Sequence, residues 1–271
     1  MEPLSELVVL IKGAGELASG IAYCLHRHLR VCLTEVATPI AVARGVSFCE
    51  AVFDGTKTVM GVTAELVPKE KDAIYRVWQK GNIPLVIDPE ALIRDQLRLD
   101  VLVDAIMAKR NTGTIITDAP LVIGVGPGFF AGKDVHIVVE SNNGASLGEL
   151  IFQGEAEKNS GIPVALGGLA KERVLWSPRT GVFVSDKDIG DPVTDGEVIA
   201  QIDDLPLKSP ANGVLRGLLR SGVKVRQGAK IVEVDPVHDG ITCNSINRKA
   251  TLIGQAVLRA VRLKPGPAIS D

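Results

Sequence analysis

The residues best suited to chemistry lie in a glycine turn near the start of the chain, where residues 13–20 read Gly-Ala-Gly-Glu-Leu-Ala-Ser-Gly. Gly13 permits a tight turn, Gly15 lets the backbone approach a pyrophosphate, and Ala18 lets a following helix pack close to a strand. The free N–H groups at the start of such a helix attract phosphate. Glu35 falls 20 residues after Gly15, where its carboxylate can accept hydrogen bonds from a ribose diol. The same turn also serves simply to seat a helix on a sheet. Glu16 inside it repels phosphate if its carboxylate faces the ligand.

A second glycine pair, Gly126 and Gly128 in Gly-Pro-Gly, follows the apolar run 121–125. It can align N–H groups as an anion nest, or only close a tight strand connection. Four further positions complete a candidate pocket. Asp88 and Asp104 each end an apolar run, and ligands of open α/β sheets gather at such strand ends; Asp88 reads equally as a helix N-cap. Lys109 and Asn111 stand in a long polar loop, which is either a binding surface or a solvated connection. To these we add His136, in an apolar run, as an interior histidine or a proton-transfer group.

The elements that must position these groups follow from the pattern. Residues 6–12 form a short buried strand, Leu17, Ile21 and Leu25 recur at helical spacing, and 30–35 is a second strand. Residues 48–53 and 58–67 read as strands about an Asp54-Gly55 turn. Helix 69–80, strand 84–88 and strand 100–105 come next. Strands alternating with helices favour a parallel sheet. The expected front half is therefore a Rossmann-like nucleotide-binding domain over residues 1–170.

Behind it the chain repeats itself. Ser177-Pro178, Gly181-Val182, Gly190, Val193, Gly196, Ile199 and Asp203 recur 32 residues later as Ser209-Pro210, Gly213-Val214, Gly222, Val225, Gly228, Ile231 and Asp235. One copy cannot bury its apolar face alone, so two copies pack together. The pattern resembles the barrel-sandwich hybrid of biotinyl and lipoyl domains. The carriers' Met-Lys-Met is absent and Lys208 stands away from the hairpin tip, which argues against a swinging arm. The expectation is an α/β protein: a Rossmann-like, mostly parallel sheet, then a duplicated all-β barrel-sandwich-hybrid domain over 171–240, then a C-terminal helix and tail over 241–271.

The totals narrow the function. Of 271 residues, 46% are hydrophobic and 23% charged, ordinary for a globular chain, so disorder is excluded as the main state. Aromatics are 4% and the net charge is -2, which argues against nucleic acid as a partner. Mean hydropathy is slightly positive, yet the densest apolar runs, 7–11 and 121–125, are far short of the ~20 residues of a membrane span. Residues 1–6 do not read as a secretory signal. Cys24, Cys32, Cys49 and Cys243 have no CxxC spacing and His26, His28, His136 and His238 no metal-motif pairing, so reduced thiols, a cytoplasmic setting and no metal are expected. Homo-oligomerisation stays open.

Taken together, IKGAGELASGIA (11–22), TEVATPIAVARGVSFCEAVFDG (34–55), IDPEA (87–91), VDAIMAKRNTGT (103–114), GVGPGFFAGKDVHIVVES (124–141) and GVLRGLLRSGVKVRQGAKIVEVDP (213–236) resemble the accessory proteins of selenium-dependent molybdenum hydroxylase systems. The resemblance implies a maturation protein for a xanthine-dehydrogenase-like client, working with cofactor-maturation proteins. It would hold a nucleotide or dinucleotide, either the molybdenum cofactor dinucleotide or NAD, at Gly13–Ala18 and Gly126–Gly128. Two other expectations stand beside it: an NAD-dependent oxidoreductase acting on sulfur, selenium or a cofactor precursor, and a non-catalytic adaptor for the client. The resemblance carries over no catalytic residue.

Overall fold

The computed structural model describes residues 6–158, 161, 165–237 and 242–263. The chain start at 1–5, His238 and the expected tail at 264–271 lie outside them. The chain divides into two compact units. The first takes residues 1–37, 48–160 and 246–271; the second takes 38–47 and 161–245.

The first unit is built on a nine-stranded sheet. In chain order its strands are β1 (Val8–Lys12), β2 (Arg30–Glu35), β3 (Thr56–Val59), β4 (Val62–Leu66), β5 (Ile83–Ile87), β6 (Val101–Asp104), β7 (Leu121–Val125), β9 (Ile137–Val139) and β10 (Leu150–Ile151). Two short strands, β8 (Phe130–Ala131) and β11 (Gly154–Glu155), form a separate antiparallel pair. The spatial order is β10-β9-β7-β6-β1-β2-β5-β4-β3. β1 lies between β2 and β6, parallel to both, so the chain leaves it in one direction and returns on its other side. All five residues of β1 are buried, as a strand covered on both faces requires. Among the described residues this unit has four α-helices: α1 (Glu16–His26), α2 (Ala51–Asp54), α3 (Lys71–Gln79) and α4 (Arg248–Arg262).

Helices α1 and α4 pack through small residues. A Cβ on Gly20 would come within 2.6 Å of Ala250 Cβ, and one on Gly254 within 2.7 Å of Cys24 Sγ. Ala256, Val257, Ala260 and Val261 fill the buried stripe of α4. Its N-cap is Asn247, whose side chain accepts from Ala250 N–H at 2.7 Å. That pairing satisfies one of the donors every helix start leaves over.

The Rossmann-like expectation needs correction. The sheet is mixed, with β3 and β10 antiparallel to their neighbours at its two edges, and few helices cover it. The connections from β6 to β7 and from β7 to β9 carry no α-helix among the described residues. Their sequences explain this: 105–120 carries Asn111-Thr112-Gly113-Thr114 at its centre and ends in Pro120, and 126–132 opens Gly-Pro-Gly, so neither sustains a helical apolar stripe. The hairpin is also displaced. Residues 48–54 form a 3-10 turn and α2, Gly55 (φ +77°) ends that helix, and the reversal between β3 and β4 is Met60-Gly61 at φ 48° and 82°. Consecutive positive φ values are what a tight hairpin demands.

Among the described residues, the second unit is all-β in its regular elements apart from 3-10 turns. Its strands are β12 (Val174–Trp176), β13 (Gly181–Val184), β14 (Pro192–Val193), β15 (Val198–Ile202), β16 (Leu205–Lys208), β17 (Gly213–Leu218), β18 (Lys224–Val225) and β19 (Lys230–Asp235). They make two four-stranded sheets, β12-β19-β17-β14 and β16-β15-β13-β18. The expected duplicated barrel-sandwich-hybrid domain is not supported as such. Neither repeat is a self-contained half: the two-residue strands β14 and β18 each pair with the other repeat, through Val193↔Gly213 and Gly181↔Val225. Such short strands have no stability of their own, so they pair where a longer strand offers an open edge. Residues 38–47 join this unit too, through Leu218 N–H donating to Val42 O at 2.8 Å.

Candidate functional site

The carboxyl ends of β1, β2, β6, β7 and β9 bring several loops of the first unit together. Gly13, directly after β1, sits at φ +94°, and a Cβ there would lie 3.2 Å from Ala105 O. Only glycine accepts both that conformation and that approach. Ala14 is held from two sides: its N–H donates to Glu35 Oε1 at 3.3 Å, and its carbonyl accepts from Cys49 N–H at 2.9 Å and Ser19 O–H at 3.0 Å. Phe48 N–H donates to Ser19 Oγ at 2.8 Å. Gly15 is the N-cap of α1, with no side-chain cap, and a Cβ built on it meets nothing within 4 Å. The start of α1 therefore has open space beside Gly15 and no side-chain cap. Ala18 is fully buried beneath it.

The carboxylates around this turn are individually directed. Glu16 Oε1 accepts from Asn247 Nδ2 at 2.7 Å, so this oxygen is turned toward the start of α4. Glu35 accepts from Val36 N–H at 2.7 Å as well as from Ala14. Burial raises its pKa above the usual glutamate value, opposed by those two N–H donors. Lys249, half-buried in the first turn of α4, has its pKa lowered by burial, while Glu16 and Glu140 pull it back up. Glu140, 2% exposed, accepts from Asn142 N–H at 2.6 Å and Glu157 N–H at 2.7 Å.

Beneath the loops lies a buried polar triad. Lys12 Nζ donates to Thr114 Oγ1 at 2.7 Å and stands 3.4 Å from Asp104 Oδ2; Thr114 O–H donates to that same oxygen at 2.6 Å. Asn111 fastens the loop above, accepting from Gly113 and Thr114 N–H and donating to Thr114 O. Met107 and Lys109 hold φ near +60°, a strained choice for side-chain-bearing residues. The second glycine turn is packed against this loop. A Cβ on Gly128 (φ +111°) would meet Arg110 backbone at 2.6 Å, and one on Gly126 would meet Ser141 Oγ at 2.5 Å.

Of the residues singled out from sequence, Gly13, Gly15, Glu16, Ala18 and Glu35 come together around the first turn. Asp104, Lys109, Asn111, Gly126 and Gly128 belong to the neighbouring loops. Two others differ. Asp88 follows β5 beside Glu35, its N–H donating to Glu35 O at 2.9 Å, but its buried carboxylate accepts from Ile93 N–H at 2.7 Å and Lys69 Nζ at 3.4 Å. His136 precedes β9 and lies at the opposite, amino-terminal edge. Sequence reasoning missed Lys12, Thr114, Ser141, Asn247 and Lys249. A lysine ending a wholly apolar strand was a signal for Lys12; nothing local marks Lys249. Among the described residues no group of three or more His, Cys, Asp or Glu is placed to hold a metal ion. Cys24, Cys32 and Cys49 are free thiols, and burial pushes the Cys32 and Cys49 thiols up. No helix among the described residues is long and apolar enough to cross a membrane.

No family model matches the chain. It is 41% identical over 262 residues to the uncharacterized protein YqeB of Escherichia coli K12, covering 96% of this chain and 48% of that protein. The chain thus spans about half the length of its curated relative. Solved structures with some likeness include the product-bound ectoine utilization protein EutE (DoeB) from Ruegeria pomeroyi, at 12% identity, 85% of each chain and a TM-score of 0.25. A succinylglutamate desuccinylase from Silicibacter sp. TM1040 has 13% identity over 85% of each chain at 0.25. An aspartoacylase family protein from Mesorhizobium loti has 11% identity over 85% of this chain and 84% of its own at 0.26. TM-scores this low carry no argument about fold or reaction.

These comparisons correct the family expectation. The 41%-identical YqeB bears no molybdenum, selenium or maturation role in its name, and no family model places the chain among such proteins. The resemblance to molybdenum hydroxylase accessory proteins falls, and with it the maturation function and its client. The oxidoreductase and adaptor expectations, drawn for the same setting, fall too.

Proposed function

We propose that the carboxyl edge of the nine-stranded sheet binds a nucleotide or dinucleotide. The observation that carries this reading is the uncapped, open start of α1 at Gly15. An eleven-residue helix whose start carries no side-chain cap is suited to a phosphate. Gly13 and Ala18 let the turn sit tightly on β1. One Glu16 oxygen is engaged by Asn247, which eases its conflict with an anion. Glu35, at the end of β2, exchanges its bonds to Ala14 and Val36 for a ribose diol. The turn at Gly126 and Gly128, with the loop carrying Asp104, Lys109 and Asn111, forms the neighbouring wall. Free thiols at Cys24, Cys32 and Cys49, two of them buried, fit a reducing, cytoplasmic setting.

Thermal unfolding of the full chain with NAD, NADP, ADP and CTP tests the reading. A ligand present at about a hundred times its Kd stabilises the fold by about 2.7 kcal/mol. Stabilisation by one of these, abolished in Gly15→Asp, is the expected result. Stabilisation by none, or equal stabilisation of wild type and Gly15→Asp, overturns it.

A further inference from the structure

The chain passes between its two units at 37–38, 47–48, 160–161 and 245–246. Two of these passages leave the second unit side by side. Residues 44–46 and 242–244 each form a 3-10 turn, and a Cβ on Gly45 would lie 2.7 Å from Cys243 O. Glycine at 45 lets the two backbones meet directly.

Both exits run straight to the first glycine turn. Just past Ser47, Phe48 N–H donates to Ser19 Oγ at 2.8 Å and Cys49 N–H donates to Ala14 O at 2.9 Å. Just past Ser245, Asn247 Nδ2 donates to Glu16 Oε1 at 2.7 Å. Ser19, fully buried, knots these bonds together. Its O–H donates to Ala14 O at 3.0 Å and its N–H to Gly15 O at 2.8 Å. The contacts that hold Ala14, Glu16 and Ser19 therefore include residues that immediately follow the second unit in the chain.

Within the second unit the segment 38–47 is itself fastened. Leu218 N–H donates to Val42 O at 2.8 Å, and Arg44 Nε donates to Leu218 O at 2.9 Å. A Cβ on Gly217 would come within 2.6 Å of Val42 Cγ1. Ser47, buried, donates its O–H to Ala43 O at 2.9 Å. A short segment hydrogen-bonded at both ends carries a displacement at one end to the other.

We infer that these paired exits are a regulatory link. A change that moves residues 42–47 or 243 within the second unit repositions Ala14, Glu16 and Ser19, and so sets how well the start of α1 receives a phosphate. That last step rests on the nucleotide reading. The link is reciprocal, because a ligand that fixes the turn must also steady the segment.

Amide hydrogen exchange of the full chain, without ligand and with saturating ADP, tests the link. Gly45→Ala drives a methyl group against Cys243 O. Ser47→Ala is the milder variant, removing only the hydroxyl bond to Ala43 O. Gly181→Ala is the control: its Cβ would meet Asp203 Oδ2, in the four-stranded sheet that does not contain Leu218. Protection of Ser177 N–H, which donates to Ala229 O at 2.7 Å, shows that the second unit of each variant is folded.

Exchange at Phe48 and Cys49 N–H should quicken about tenfold in Gly45→Ala, within the range of ordinary coupling between sites. It should quicken less in Ser47→Ala and stay as in wild type in Gly181→Ala. ADP affinity should fall in the same order, and ADP bound to wild type should slow exchange at Leu218 N–H. Unchanged exchange at Phe48 and Cys49 in both exit variants overturns the inference, and so does an equal rise in the control. ADP that binds all four proteins equally, or binds without slowing Leu218, also overturns it and leaves the nucleotide reading standing. Absence of ADP binding to wild type counts against the nucleotide reading alone, and exchange at Phe48 and Cys49 then decides the link by itself.

Discussion

Two glycine turns of similar composition end neighbouring parts of one sheet, and their surroundings make them opposites. Gly13–Gly15 follows β1 and opens into α1, with nothing within 4 Å of a Cβ on Gly15. Gly126–Gly128 follows β7 and has no helix behind it. Its space is already taken by Ser141 Oγ at 2.5 Å and Arg110 backbone at 2.6 Å from the same construction. In the first turn glycine keeps room for something absent from the chain. In the second it makes room for the chain itself. A glycine motif records that backbone must come close; it does not record to what.

The largest expected effect concerns what closes the second turn. Lys12→Met leaves Asp104, 1% exposed, without its cation; breaking a buried pair from one side costs about 3–5 kcal/mol. Chemical denaturation measures it, and a cost under about 1 kcal/mol would mean that the triad does not hold the loop onto Gly128. Next, Gly128→Ala should cost about 3 kcal/mol, from positive φ together with overpacking against Arg110. Gly15→Ser, by contrast, should change stability by no more than a few tenths of a kcal/mol, because serine is an accepted N-cap. Similar costs for these two glycine variants would erase the contrast between the turns.

Smaller effects sharpen the first turn. Asn247→Ala removes the α4 cap and the Nδ2 donor to Glu16 Oε1; the lost cap should cost about 1 kcal/mol, read as a lowered denaturation midpoint. Losing that donor should weaken ADP binding relative to adenosine, because only ADP carries the phosphates that the Glu16 carboxylate opposes. Glu35 gives the smallest signal. Its pKa is raised in the folded state, above a reference of 4.5. The stability it contributes is complete below that reference and is lost as pH rises through the folded value. Glu35→Gln carries no such loss, so its stability relative to wild type should improve between about pH 4 and about pH 7. A difference that stays flat across this range would place Glu35 in solvent.

Much of the first unit was legible because it is written locally. The run from β1 through the turn, α1 and β2 shows in apolar spacing and in glycines a few residues apart. The C-terminal helix expected within 241–271 is α4, where Leu252, Ala256, Val257 and Val261 recur at helical spacing. The misplaced hairpin has an equally local cause: Asp54-Gly55 and Met60-Gly61 both carry turn chemistry, and packing of Phe48 and Ala51 as a buried short helix selected the second. The family resemblance failed for another reason. It rested on a set of short motifs, and glycine turns recur wherever backbones crowd.

From the sequence alone came the glycine turn at the start of a helix, the acid at the end of the second strand, and the internal repeat of the second unit. Each depends on hydrogen bonds and side-chain periods spanning a few residues, or on residue identity at a fixed offset. Only tertiary structure decided where the charges face. Asn247 reaches Glu16 across 231 positions, Lys12 meets Thr114 across 102, and His136 is assigned to one edge of the sheet while the glycine turns occupy the other. Those outcomes depend on which strands become neighbours. That choice is made by burial of the whole apolar surface rather than by any one residue's preference.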